Sequence, residues 1–188
     1  MAEKKQDKDK KKKKWVPIVA AKEFNNMEIG ETYVEDPNNS IGRTVTINLM
    51  ALTRDPKKQS NNVTFKITEF KNNVLHTELI SISLQTAQLK RTTRKDKTKI
   101  EDSFIVDTKD NIKVRFKPIL LTKAVTSKSN LSGLRKLTRE IVAKHSKNMF
   151  YSQFIGDVIF VNIQKAIRND TKQFYPLASC IIKKVEKV

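Results

Sequence analysis

The sequence predicts an α+β fold, a run of antiparallel strands followed by flanking helices, behind a disordered lysine-rich arm. Three observations carry this. Apolar and polar residues alternate through the middle of the chain, the period turns helical in the last third, and residues 1–14 hold nothing to bury after Ala2. The expected organisation is an arm over residues 1–14 and a single domain over 15–188. The hydrophobic fraction of 38% is enough for one core, though it lies below the usual roughly 45–50%.

The arm comes first. Its eight lysines face Glu3, Asp7 and Asp9, 8 − 3 = +5, and self-repulsion predicts an extended segment that orders on a polyanion. Trp15 marks where the folded part begins; beside Val16 and Ile18 it is expected to pack on the domain, with stacking on a base as the other reading. The basic opening followed by Trp15 to Ala21 mimics a signal peptide, but Pro17 and Lys22-Glu23 argue against one, so a soluble intracellular protein is expected.

The strands follow. Val45, Ile47, Leu49 and Ala51 alternate with Thr44, Thr46 and Asn48, predicting a half-buried strand that turns at Arg54-Asp55-Pro56-Lys57-Lys58. Val63, Phe65 and Ile67 predict a second strand, and Lys71-Asn72-Asn73 a turn. A third strand runs from Val74 to Ser83, with a phase change that a bulge would explain. Leu84 to Leu89 starts a short helix carrying a basic segment at its end. Phe104-Ile105-Val106 and Ile112-Val114-Phe116 flank Asp107 to Asn111 as a hairpin, with Lys113, Arg115 and Lys117 on the outer face and Pro118 ending the pattern or marking an edge.

The helices close the chain. Leu131, Leu134, Leu137 and Ile141-Val142 predict a helix to about Asn148, with Arg135 and Arg139 toward solvent and Glu140 paired with Lys144. A second helix is expected from an N-cap at Ser152 to about Arg168, then a strand from Leu177 to Val185 after Pro176. Cys180, the sole cysteine, reads as a small buried hydrophobe.

Charge is the functional signal. Lys and Arg number 38 against 20 Asp and Glu, a net +18. The decapeptide Lys90 to Lys99 holds six cations against Asp96, 6 − 1 = +5, with no apolar residue. Such density favours a polyanion, and Lys and Arg reading backbone shape suit a structured RNA. The RNA-binding residues expected are Lys10, Lys11, Lys12, Lys13 and Lys14 of the arm, and Lys90, Arg91, Arg94, Lys95, Lys97 and Lys99 of the decapeptide. Arg43, Arg54, Lys57, Lys58, Arg115, Lys183 and Lys184 are secondary. His76 and His145 stand apart without metal-ligand spacing, and Gly30, Gly42, Gly133 and Gly156 are isolated, so no phosphate-cradling loop, metal site, cofactor or catalytic centre is expected.

Four segments follow in order: Lys14-Trp15 with Phe24 and Glu28 to Thr32; Ile41-Gly42-Arg43 with Leu49, Leu52, Thr53 and Asp55; Arg91 to Arg94 through Thr98 to Asp102, then Thr108-Lys109-Asp110 and Val114 to Pro118; and Arg139 to Val142 with Tyr175-Pro176-Leu177. In that order they resemble the S-three-a-e family of small-subunit ribosomal proteins. The end soon after Leu177 resembles the shorter archaeal form. The resemblance implies a β-barrel-like core and binding to 16S-type small-subunit ribosomal RNA on the platform, near the messenger exit. It further implies a cytoplasmic, ribosome-bound protein with platform ribosomal proteins as neighbours and messenger RNA near the exit as a further contact. The alternatives are a free-standing RNA-binding regulator or chaperone using the same basic surface, and a nucleic-acid hydrolase, for which Glu101-Asp102 is the modest carboxylate pair.

Overall fold

A computed structural model of the chain describes residues 12–93 and 97–188; most of the expected arm and Arg94, Lys95 and Asp96 of the decapeptide lie outside them. Among the described residues, nine strands in mixed pairing and five α-helices give the α+β class. The chain divides into two compact units, Met1–Val45 with Phe65–Leu79 and Thr46–Thr64 with Ile80–Val188.

In the first unit, β1 (Lys14–Val19) pairs antiparallel with β2 (Glu28–Val34), Trp15 opposite Tyr33. Residues of β4 (Asn61–Lys71) and β5 (Val74–Leu84) complete it. Alternation works here as expected: Val16, Ile18, Val34, Ile67 and Leu75 form one buried cluster, and the Phe24 ring meets the Phe65 ring edge-on at 5.5 Å. The β4–β5 turn uses Asn72 and Asn73 at φ 52° and 65°, the left-handed pair a two-residue hairpin requires. The pairing is not all antiparallel: β1 lies parallel to β5, Ile18 opposite Leu75 and Val19 opposite His76, and Thr77 Oγ1 donates to Val19 O at 2.8 Å.

In the second unit, β8 (Lys113–Thr122) is the central strand. β6 (Lys99–Glu101) and β7 (Phe104–Asp107) pair with one side of it and β9 (Leu177–Lys187) with the other, all antiparallel; β9 then pairs with β5 at Ser81 to Ser83. Val114, Phe116, Ile119, Leu120, Leu121 and Val185 are buried. Among the described residues the strands pair in a mixed sheet that is not a closed barrel, and the expected antiparallel pairing holds for the β5–β9, β6–β8, β7–β8 and β8–β9 pairs of the second unit.

Three expectations need correction. The alternating run ending at Ala51 stops early: β3 (Thr44–Asn48) gives way to α1 (Leu49–Thr53), because the Asn48 side chain caps the Met50 N–H at 2.9 Å. β8 does not end at Pro118. It runs on to Thr122, because the partner strand bulges there: Lys117 faces Lys184 but Pro118 faces Ile182, leaving Lys183 as the extra residue where the imide nitrogen has no proton to give. The short helix expected to carry the basic segment at its end is α2 (Thr86–Thr92), whose last turn takes in Lys90 and Arg91.

The last correction concerns the helix expected from Ser152. Two helices occur, α4 (Tyr151–Ile159) and α5 (Asn162–Thr171), and Ser152 is not the cap. Val161 between them sits at φ 65°. The break is stapled by Asn162 donating to Asp157 at 2.9 Å and Gln164 to the Val158 carbonyl at 3.1 Å. The helix before them, α3 (Lys128–Lys147), follows the expected stripe, burying Leu134 and Val142. Thr138 is also buried on it, its hydroxyl satisfied by Leu134 O at 2.7 Å. Desolvation pushes the Cys180 thiol up to about 12, although the residue is half-buried and not fully in the core.

Candidate nucleic-acid interface

Position in the fold sorts the cations by whether a carboxylate already neutralises them. The first sorting is by unit. The second unit carries 26 basic and 10 acidic residues, 26 − 10 = +16, of the chain's +18. The first holds 12 and 10, 12 − 10 = +2. Most of the surplus positive charge belongs to the second unit.

Within it, Lys90 and Arg91 stand exposed in the last turn of α2, where cations favour the carbonyl end of the helix. Neither has a carboxylate partner among the described residues. Lys97 is half-buried where the chain re-enters the sheet, and Lys99 opens β6, paired with Glu101 at 2.5 Å. That hydrogen bond draws the Glu101 carboxyl below its usual range. Glu101 thus pairs with the last cation of the decapeptide. Asp102 instead accepts two 2.7 Å bonds from Arg139 of α3, and this fork lowers its carboxyl.

The outer face of β8 is a different case. Arg115 faces Glu186 across the strand pair and Lys117 faces Lys184. Glu186 accepts from Lys117 at 3.1 Å and Arg115 at 3.3 Å and also binds Lys184. The hydrogen bond from Lys184, then that from Lys117, brings its carboxyl down to about 2. Arg115 and Lys184 are therefore committed to holding two strands together and are weaker phosphate contacts than their charge suggests. Lys183, the bulged residue, is exposed.

The Arg54–Lys58 corner is mixed. Arg54 is the exposed left-handed cap of α1 at φ 54°, and Lys57 is exposed on a 3-10 turn. Lys58 is spent locally, 3.9 Å from Asp55 and with its ammonium 4.5 Å from the centre of the Phe160 ring.

In the first unit, Lys12, Lys13, Lys14 and Arg43 are all exposed. Lys13 and Arg43 line one cleft with Tyr33 and Asn39, but so do Glu35 and Asp36. Trp15 does not pack on the domain as expected: it is 64% exposed and rests on Tyr33, ring centres 5.0 Å apart. It lies on the outer face of β1, since Val16 and Ile18 take the inner one. Lys10, Lys11, Arg94 and Lys95 fall outside the described residues.

Three cations absent from the expected set, Lys123, Arg168 and Lys172, meet around one cleft. No run in the sequence signals them, because the pairing of β8 with β9 brings their segments together. Among the described residues, no three His, Cys, Asp or Glu side chains converge on a metal position.

The Ribosomal S3Ae family model matches residues 2–188. Small ribosomal subunit protein eS1 of Halorubrum lacusprofundi is 30% identical over 98% of this chain and 86% of its own length. The protein of the same name from Saccharolobus islandicus is 32% identical over 95% of this chain and 86% of its own, and that from Haloarcula marismortui 28% over 98% and 86%. The ordered motifs, the α+β fold and a match spanning nearly the whole chain agree: this protein belongs to the Ribosomal S3Ae family, a family of structural ribosomal proteins and not of enzymes.

Proposed function

We propose that the chain is a structural constituent of the small ribosomal subunit that binds 16S-type ribosomal RNA through the cationic surface of its second unit, without catalysis. Its place is the platform near the messenger exit, among platform ribosomal proteins, with messenger RNA within reach and the ribosome in the cytoplasm as its location. One observation carries the RNA contact: +16 of the +18 net charge falls in one unit, and its densest segment, at Lys90 and Arg91, has no acidic partner among the described residues. Unneutralised cations of one sign repel, and a phosphate backbone removes that repulsion while releasing counterions. Kinship with proteins named as small ribosomal subunit components supports the same reading.

The test is the salt dependence of binding to small-subunit ribosomal transcripts. About six phosphate contacts give a slope of log affinity against log salt of roughly −4 for single strands, somewhat steeper for duplex. Neutralising Arg91, Arg94, Lys95 and Lys97 to Gln should bring it toward roughly −1.4. An unchanged slope removes the decapeptide from the interface. Crosslinking within the purified subunit tests the platform position; crosslinks confined to RNA elsewhere defeat it.

A further inference from the structure

The cleft that gathers Lys123, Arg168 and Lys172 has the makings of a site. Thr122, the last residue of β8, pairs with Leu177 at the start of β9, which sets Lys123 beside Pro176. Arg168 and Asn169 stand in the final turn of α5, and Lys172 caps it. That turn is tied down by Thr171, whose hydroxyl donates to Ile167 O at 2.6 Å and whose carbonyl accepts from Tyr175 N at 2.9 Å. The cleft measures about 340 Å³ and is lined by Lys123, Arg168, Asn169, Lys172, Pro176 and Leu177. No carboxylate lines it: Asp170 instead lines a separate cleft with Glu140 and Lys144. All three cations are exposed, and among the described residues none has an ion pair.

The helix terminus alone accounts for Arg168 and Lys172, since its free carbonyls attract cations. It does not account for Lys123. Thr122 N donates to Thr98 O at 3.1 Å, and Thr98 N to Thr122 Oγ1 at 3.1 Å. These bonds hold Thr98, the chain neighbour of Lys97, against Thr122, the chain neighbour of Lys123. Three cations therefore line one concavity, and Lys97 lies one residue from the bonds that tie its rim.

We infer that this cleft is a second phosphate-binding site for the RNA backbone, with Lys123, Arg168 and Lys172 as charge contacts and the Asn169 amide as a donor. Lys97 joins it to the decapeptide, so one strand of RNA runs from α2 to the end of α5. The inference rests on the ribosomal RNA-binding reading above.

The test measures binding of the full chain to a small-subunit ribosomal transcript for wild type and for Lys123→Gln, Arg168→Gln and Lys172→Gln combined, with the decapeptide variant alongside. Each phosphate contact contributes about 0.7 to 0.9 to the salt slope, so losing all three at about 0.1 M salt lowers affinity roughly 125- to 500-fold and flattens the slope by about 2.1 to 2.7. Wild-type affinity and slope in the triple variant, with loss in the decapeptide variant, overturn the cleft and leave RNA binding standing. A wild-type chain indifferent to the transcript overturns both. Should the triple variant misfold, Lys123→Glu decides, because it lies outside α5: about tenfold loss is expected, and no loss refutes the site.

Discussion

Replacing Glu186 by Gln tests whether the cations on β8 and β9 serve the fold rather than a ligand. The register leaves Lys117 directly opposite Lys184, an unfavourable pair, and Arg115 opposite Glu186. Glu186 is the carboxylate that reconciles them, and its side chain is only 15% exposed. Its carboxyl stands at about 2 against an ordinary 4.5, and that difference, at about 1.4 kcal/mol per pH unit, sets a ceiling of about 3 kcal/mol. The three cations are 30–41% exposed, so solvent screening and side-chain ordering reduce the expected loss to about 1–2 kcal/mol. For a chain of this length that lowers Tm by about 2–8 °C. The assay is urea unfolding of wild type and variant across pH. A carboxyl whose pKa is depressed by folding contributes fully above its unfolded value and loses its contribution as pH falls toward the folded one. The difference between the two proteins should therefore be complete above about pH 4.5 and vanish as pH approaches 2. A difference that persists unchanged at the acid end would mean that shape, not charge, holds these strands, and no difference at neutral pH would refute the reasoning outright.

Two further outcomes follow from the same geometry. Val161 holds a left-handed conformation that a β-branched residue adopts at a cost of about 1–2 kcal/mol. Val161→Asn should stabilise the chain by about 0.5–1 kcal/mol in thermal unfolding; a lower Tm would show that the Val161 side chain packs more than it strains. Trp15, the sole tryptophan, should show solvent-like emission and efficient acrylamide quenching, since 64% of it is exposed; protected emission from the isolated protein would contradict its place on the outer face of β1.

Much of this molecule was legible residue by residue. Period-two alternation marked β4, Lys71-Asn72-Asn73 marked a turn, and the 3.6-residue stripe marked α3, because each signal is local and short-range sterics or one-sided burial enforces it. The excess of positive charge and its two clusters were equally plain, and they set the class of partner. The errors came where a local pattern met a non-local partner. Leu49 alternates like a strand residue, yet a capping Asn48 turns the chain into a helix. Pro118 should stop a strand, yet β9 bulges to accommodate it. Cations present the sharpest case. Arg115 and Lys184 look free in sequence and are held by Glu186, 71 residues from Arg115. Lys123, Arg168 and Lys172 look scattered and share one cleft. Coulomb interactions depend on distance in space, which strand register sets and chain order does not. Sequence alone thus determined the sign of the surface, while the tertiary structure decided which charges already have a carboxylate partner and which have none among the described residues.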